Sequence, residues 1–241
     1  MKDVKLYIDM DGVLVDLFGK INQVFNIELE DFMLTGSDKV KYIQALSDNK
    51  YFDNYIDLKT QIFGNHPINF KDPMTRDKFF FFEKIHNINL FQFIHSMYDP
   101  YDFWFNLKPN IVADRRSKFW SHIFIENNVS SKNVYILSAV TKLDQDIVRK
   151  AKTDWVKLHL PFILPENIIV LDSLKEKEKY ANNNYKNVLI DDFPFLVEDW
   201  KKAGGTAILW EENDLEKSHN KLRSLRKHII DLENITKMRI R

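Results

Sequence analysis

Five short apolar segments constrain the fold of this chain more than any other feature of its sequence. They are rich in β-branched residues or leucine, and most of them follow an asparagine or another turn former, which is typical of buried strands. The five segments are Val4–Met10, Asn133–Ala139, Asn167–Asp172, Asn187–Asp192 and Thr206–Trp210. We therefore predict a sheet of five strands.

Helical patterns separate the last four of these strands. They cover residues 114–128, 144–160, 173–181 and 195–205, the last of which ends at a pair of glycines. Strands that alternate with helices in this way predict an α/β fold, a parallel sheet with helices on both faces. Ligands bind to such sheets at the carboxyl ends of the strands, so the residues at those ends are the first candidates for a site.

Residues 17–106 interrupt the alternation directly after the first strand. This stretch holds 14 of the 19 phenylalanines and shows mixed helical patterning without a strong strand. We predict a mainly helical cap domain here, inserted into a core formed by residues 1–16 and 107–241. For most of the phenylalanines the simplest interpretation is that they form the hydrophobic core of the inserted domain.

Composition narrows the functional classes without selecting one. The chain has 35 basic and 35 acidic residues, so its bulk charge indicates neither a nucleic-acid nor a membrane partner. It has no cysteine, which excludes disulfides, thiolate metal sites and cysteine nucleophiles and fits a reducing compartment. No apolar run has the length of a signal peptide or of a membrane span, so we expect a soluble cytoplasmic protein with no membrane partner.

Six polar residues lie at or near the predicted carboxyl ends of the strands. They are Asp9, Asp11, Ser138, Lys177, Asp191 and Asp192. Carboxylates gathered at one edge repel each other unless a cation offsets their charge, and Mg²⁺ prefers such oxygen ligands. The hydroxyl and the lysine are suited to bind phosphate oxygens, and a carboxylate is suited to attack phosphorus. The set therefore predicts a Mg²⁺ site that handles a phosphate group.

Four stretches carry these residues in a recognisable order: "YIDMDGVLVD", "ILSA", the lysine before "YA", and "VLIDDFPFLVEDWKKAGGTAI". They resemble the four motifs of haloacid dehalogenase-type phosphohydrolases, and within that superfamily most closely the 5'(3')-deoxyribonucleotidase family with its bacteriophage and bacterial relatives. The resemblance covers the first strand and roughly residues 100–210. It implies a Rossmann-like parallel sheet with the cap inserted after the first strand.

The resemblance also implies a role for each residue that handles the phosphate. Asp9 would be the nucleophile that forms an aspartyl-phosphate. Asp11 would protonate the leaving oxygen and then activate the water that hydrolyses the intermediate. Ser138 and Lys177 would bind the phosphoryl oxygens.

The metal ligands implied by the resemblance are the carboxylates of Asp9 and Asp191 and the backbone carbonyl of Asp11. Asp192 would support the Mg²⁺ ion or its waters. Gly12 would let the chain turn sharply, so that backbone N–H groups face the phosphate.

Two of these assignments have a simpler alternative. Lys175 and Lys179 lie within a turn of Lys177, and a run of alternating charges is usually a solvated surface; Lys177 is preferred because of its spacing to Ala181. Asp192 could instead cap the helix that follows it.

Substrate contacts are predicted from the hinge at residues 102–109, "DFWFNLKP", where the chain returns from the cap to the core. Aromatic residues of the cap and hinge hold the base in deoxyribonucleotidases, which makes Trp104 and Phe105 the candidates here. Packing between cap and core is an equal alternative for both residues. The family commonly has an aromatic residue directly after the aspartate that ends the first motif, whereas this chain has Leu17 and then Phe18.

The implied activity is Mg²⁺-dependent hydrolysis of (deoxy)nucleoside monophosphates. Two alternatives remain: a phosphatase for polynucleotide ends or another small phosphate ester, and a non-catalytic binding protein, although degenerate members normally lose Asp9 or Asp11. The segment 217–241 has eight basic residues and an apolar stripe. We favour a final helix docked on the sheet over a nucleic-acid contact for this segment.

Overall fold

The computed structural model describes residues 3–26, 69–72, 74–76, 78, 81, 84 and 89–239 of the chain. The chain divides into two compact units. The first unit comprises Met1–Asp16 and Lys108–Arg241, and the second comprises Leu17–Leu107.

A five-stranded, all-parallel sheet forms the centre of the first unit. Its strands are β1 Lys5–Ile8, β2 Val134–Ala139, β3 Ile168–Leu171, β4 Asn187–Asp191 and β5 Thr206–Leu209, in the order β3-β2-β1-β4-β5. Each strand lies within a predicted segment, so the predicted α/β fold with a parallel sheet is confirmed. The chain runs from β1 outward to β3 on one side and then continues on the other side, which places the topological switch point between β1 and β4.

The described helices, in chain order, are α1 Leu17–Asn26, α2 Leu90–Met97, α3 Pro100–Phe105, α4 Lys118–Ser121, α5 Gln145–His159, α6 Pro194–Lys202, α7 Leu215–Arg223 and α8 Leu225–Arg239. Two predicted helices differ in type. Residues 114–128, predicted as one helix, form α4 followed by a π-helical turn, His122–Glu126. Residues 173–181, also predicted as a helix, contain a 3₁₀ helix, Leu174–Tyr180. Among the described residues, no helix combines the length and apolarity needed to cross a membrane.

The predicted single helix at the end of the chain is two helices, and Asn127 explains the interruption. Its fully buried side chain donates a hydrogen bond to Leu222 O at 2.8 Å and accepts one from Arg226 N at 2.9 Å. A single residue distant in sequence thus provides hydrogen-bond partners for a backbone carbonyl at the end of α7 and for a backbone N–H at the beginning of α8. A helix pattern read along the sequence contains no signal for such a cap.

The core of the first unit packs against both faces of the central strands. Leu6 and Ile8 of β1 are fully buried, and the Tyr7 ring between them stacks on Tyr135 of β2 at 4.9 Å. Such burial on both faces is the reason why these strands are continuous apolar segments. On α6, Trp200 lies so close to Gly205 that a Cβ at Gly205 would be 2.2 Å from the indole nitrogen.

Helices α1, α2 and α3 belong to the second unit, and residues 74–76 are also helical. The guanidinium of Arg76, a buried side chain, lies 4.3 Å from the centre of the Phe18 ring. The mainly helical character predicted for residues 17–106 can be followed at these positions only, because residues 27–68 and most of residues 73–88 lie outside the described part of the chain.

Candidate metal centre

Three buried carboxylates meet at the switch point of the sheet. Asp9 directly follows β1, Asp191 is the last residue of β4 and Asp192 follows it. Because Ile8 of β1 is in register with Ile190 of β4, the next residue of each strand emerges at the same level. One carboxylate oxygen from each aspartate lies within 4.8 Å of the other two, so this cluster could hold a metal ion.

Lys177 is the cation of this cluster. Its Nζ lies 2.8 Å from Asp9 Oδ1 and 2.8 Å from Asp191 Oδ2, and its side chain is 1% exposed. The 3₁₀ helix turns this one lysine inward, whereas Lys175 and Lys179 are exposed. Of the three lysines considered from the sequence, Lys177 is therefore the one in contact with the carboxylates.

Burial and charge pairing together shift the pKa values of this cluster. Burial, together with the charge of Asp9, raises the pKa of Asp191 to about 6, although the Lys177 ammonium acts in the opposite direction. Burial lowers the pKa of Lys177, but the carboxylates of Asp191 and Asp9 outweigh burial and raise it above its ordinary value. Asp9 and Asp191 thus share the buried Lys177 ammonium, and Asp192 adds a third carboxylate beside them, a set suited to a further cation.

The turn after β1 is shaped to admit the Asp192 carboxylate. Gly12 has φ +75°, and a Cβ at this position would lie 2.5 Å from Asp192 Oδ2. The N-cap position of α6 is occupied by Phe193 and not by Asp192. Only glycine therefore leaves room for this carboxylate beside the turn.

A second buried lysine, Lys152 of α5, forms polar contacts with Asp11 and with the end of β2. It forms an ion pair with Asp11 Oδ2, and it donates hydrogen bonds to Ser138 Oγ at 3.1 Å and to Ala139 O at 2.8 Å. Burial raises the pKa of Asp11, the Lys152 cation lowers it and the charge of Asp9 raises it, and the net direction is upward. Asp11 and Ser138 therefore both contact the ammonium of Lys152.

Lys152 is not among the site residues predicted from the sequence, although its helix carries a signal. The buried face of α5 consists of Val148, Ala151, Lys152, Trp155 and Val156. A lysine within the apolar stripe of an amphipathic helix must reach a buried acceptor or move out to solvent. That position could have identified Lys152 as a candidate.

Trp104 and Phe105 lie in the second unit, on α3. Trp104 is 1% exposed; its ring lies 5.3 Å from that of Phe91, and its Nε1 donates a hydrogen bond to His95 Nε2 at 3.3 Å. Phe105 is half-buried and stacks on Tyr101 at 5.3 Å. Trp104 therefore packs within its own unit, and base contact by either residue stays a prediction.

A comparison with models of known protein families found no match to this chain, and a comparison with curated proteins found no similar sequence.

Proposed function

We propose that this protein is a Mg²⁺-dependent phosphatase that hydrolyses (deoxy)nucleoside monophosphates through an aspartyl-phosphate. The observation that carries the proposal is the position of Asp9, which stands at the end of the central strand in contact with Lys177 and beside the carboxylates of Asp191 and Asp192. The order of the motifs around these residues resembles that of haloacid dehalogenase-type phosphohydrolases, and this resemblance supports the reaction type.

The donor set fits a hard divalent cation. The three residues of the cluster offer only carboxylate oxygens, and all three are buried. Asp9, Asp191 and Asp192 would hold the ion, and Lys177 supplies one of the positive charges that these carboxylates need. A bound Mg²⁺ would offset the charge of the phosphoryl oxygens during transfer.

The two oxygens of Asp9 differ in their contacts. Its Oδ1 accepts a hydrogen bond from Met10 N at 2.8 Å and lies 2.8 Å from Lys177 Nζ. Oδ2 receives neither contact. We assign Oδ2 as the nucleophile: it attacks phosphorus, the bond from phosphorus to the leaving oxygen breaks, and the phosphoryl group passes to Asp9.

Asp11 transfers the proton in both halves of the proposed reaction. It gives a proton to the leaving nucleoside oxygen, and then takes one from the water that attacks the aspartyl-phosphate and releases inorganic phosphate. Burial favours the protonated form of Asp11, as the first half requires. Ser138 and Lys177 would bind the phosphoryl oxygens.

Nucleotide preference within the proposal rests on the resemblance to deoxyribonucleotidases. The competing substrate, a polynucleotide end, drew its support from the basic segment 217–241. Three of its cations are engaged locally: Lys217 and Lys221 pair with Glu211 at 3.0 and 2.7 Å, and Arg223 pairs with Glu126 at 3.3 Å. These pairs weaken the argument for a polyanion surface, so the mononucleotide is the substrate that we propose.

Phosphate release from a panel of phosphomonoesters, measured with and without Mg²⁺, tests the proposal. The panel includes 5'- and 3'-nucleoside monophosphates, sugar phosphates and phosphorylated oligonucleotides. We expect Mg²⁺-dependent release that is fastest from mononucleotides. Faster release from sugar phosphates or oligonucleotides would overturn the substrate class, and no release from any ester would overturn the phosphatase.

A further inference from the structure

Lys152 is a fully buried lysine of the first unit to which neither the sequence motifs nor the proposed reaction assigns a role. It lies on the sheet-facing stripe of α5 and is 0% exposed. A buried ammonium without acceptors is strongly destabilising. The acceptors that Lys152 contacts therefore explain why a lysine occupies this position.

Two of its acceptors hold the ammonium at a fixed place. Ser138 Oγ at 3.1 Å and Ala139 O at 2.8 Å both belong to the buried end of β2, the strand next to β1. From this anchor Lys152 pairs with Asp11 Oδ2. Asp11 itself lies in the tight turn after β1, where Leu14 N and Val15 N both donate hydrogen bonds to Met10 O.

The ion pair distinguishes the two carboxylate oxygens of Asp11. Oδ2 is bound by Lys152, whereas Oδ1 accepts no hydrogen bond from any residue in the described part of the chain. A carboxyl group held through one oxygen has a fixed plane, so its second oxygen points in one direction only. A proton donor is effective when it is held in this way within reach of the reacting oxygen.

We propose that Lys152 is a positioning residue that fixes the Asp11 carboxyl through Oδ2, so that Oδ1 exchanges the proton with the leaving oxygen and then with water. The inference rests on the proposed function, because it assigns a purpose to the proton transfers of that reaction. Lys152 acts through Asp11 and not on the phosphate, which separates its role from that of Lys177.

A comparison of two leaving groups distinguishes the proposed role of Lys152 from a merely structural one. A nucleoside oxygen needs a proton to leave, whereas the p-nitrophenolate of p-nitrophenyl phosphate leaves without one. In Lys152→Met we expect kcat for a nucleoside monophosphate to fall by ~10²-fold or more, with KM little changed. With p-nitrophenyl phosphate we expect a rapid burst of p-nitrophenol followed by slow turnover, because attack by water still needs Asp11.

The burst should coincide with phosphorylated protein. Mass spectrometry of acid-quenched Lys152→Met should detect a phosphoryl group on Asp9 during steady turnover. Lys150→Met is the matched control, since Lys150 is on the same helix but 67% exposed and pairs with Asp154. It should retain wild-type kinetics with both substrates.

A double-mutant cycle separates action through Asp11 from any independent role. Lys152→Met should lower kcat in the wild-type background but have no further effect in Asp11→Asn. The double variant also removes both buried charges, so it folds without a lone ammonium or carboxylate. If Lys152→Met alone fails to fold, Lys152→Gln keeps an N–H donor for Ala139 O and should show the same burst.

The possible failures are distinguishable. A wild-type protein that releases phosphate from no ester would overturn both the proposed function and the role of Lys152. An active wild type would overturn the role of Lys152 alone if the burst were absent in the variants. An equal fall in kcat on Lys152→Met in the wild-type and Asp11→Asn backgrounds would also overturn the role of Lys152.

Discussion

The ammonium of Lys177 lies 2.8 Å from Asp191 Oδ2, and both side chains are buried, at 1% and 0% exposure. Lys177 makes the same close contact with Asp9, while Asp192 adds a third carboxylate to the cluster. The strands β1 and β4 bring these acids together, and a cation such as the Lys177 ammonium offsets their repulsion. Charge balance at this edge of the sheet therefore links the stability of the protein to its candidate activity.

Removal of the Lys177 charge should destabilise the protein chiefly when no metal is present. We expect Lys177→Met to lower the free energy of unfolding by about 3 kcal/mol, because it leaves buried carboxylates without their ammonium. Mg²⁺ should raise the Tm of this variant more than that of the wild type. Thermal unfolding with and without Mg²⁺ measures both effects. Lys179→Met, at an exposed position, should behave as the wild type. An unchanged Tm in Lys177→Met would show that the Lys177 ammonium does not stabilise the carboxylates.

Mg²⁺ should stabilise the wild-type protein through the carboxylate cluster. Binding to the folded state raises the free energy of unfolding as RT ln(1 + [Mg²⁺]/Kd), so a titration followed by Tm yields an apparent affinity. We expect Asp192→Asn to weaken that affinity by ~10-fold or more. Asp172 is 70% exposed and pairs with Arg149, so Asp172→Asn is the control. Equal Mg²⁺ responses in both variants would exclude Asp192 from the metal site.

Asp9→Asn should abolish phosphate release. An amide is a poor nucleophile and a weak Mg²⁺ ligand, so kcat should fall by at least ~10³-fold. Phosphate release under the best wild-type condition measures the loss, and a thermal unfolding curve verifies that the variant is folded. Retention of most of the activity would show that Asp9 is not the nucleophile.

Gly12→Ala should destabilise the turn after β1 for two separable reasons. Its φ of +75° disfavours any Cβ, and the added methyl would meet Asp192 Oδ2 at 2.5 Å. Together these should cost about 2–4 kcal/mol in urea denaturation. Asp192→Ala in the Gly12→Ala background should restore the unfolding free energy lost through contact between the methyl and the carboxylate. It should not restore the free energy lost through the positive φ. Simple additivity of the two changes would indicate that the carboxylate moves aside at no cost.

The stability of the first unit should depend on pH through His219. Its ring lies 5.3 Å from those of Trp210 and His122, and burial, with the charges of His122 and Lys118, holds its pKa below the ordinary 6.5. The folded state therefore resists protonation, so stability is complete above about pH 6.5 and declines as the pH falls below it.

We expect His219→Gln to flatten this decline, as measured by urea denaturation between about pH 7.5 and 5.5. The effect should be a fraction of the ~1.4 kcal/mol per pH unit of one fully linked proton, because solvent screens a half-buried ring. His228→Gln, at an exposed position, is the control. Identical pH slopes in His219→Gln and the wild type would refute the linkage.

Much of the fold follows from local pattern. The five strands lie where β-branched and leucine-rich segments predicted them, because the strands of a parallel sheet covered by helices are largely apolar. The pattern did not reveal that Asn127 divides the final helix, since that cap joins residues almost a hundred positions apart. It also did not reveal that Trp104 is buried within the second unit, because aromatic residues of a core and of a binding surface look alike in sequence.

The sequence by itself determined where the acids meet. Asp9 and Asp191 end neighbouring parallel strands, and the carboxyl ends of such strands share one edge of the sheet. Only the tertiary structure decided which cations reach them. A lysine side chain is long and flexible, so its destination depends on which side of its helix faces the sheet. The 3₁₀ turn directs Lys177 to Asp9, and the buried stripe of α5 directs Lys152 to Asp11.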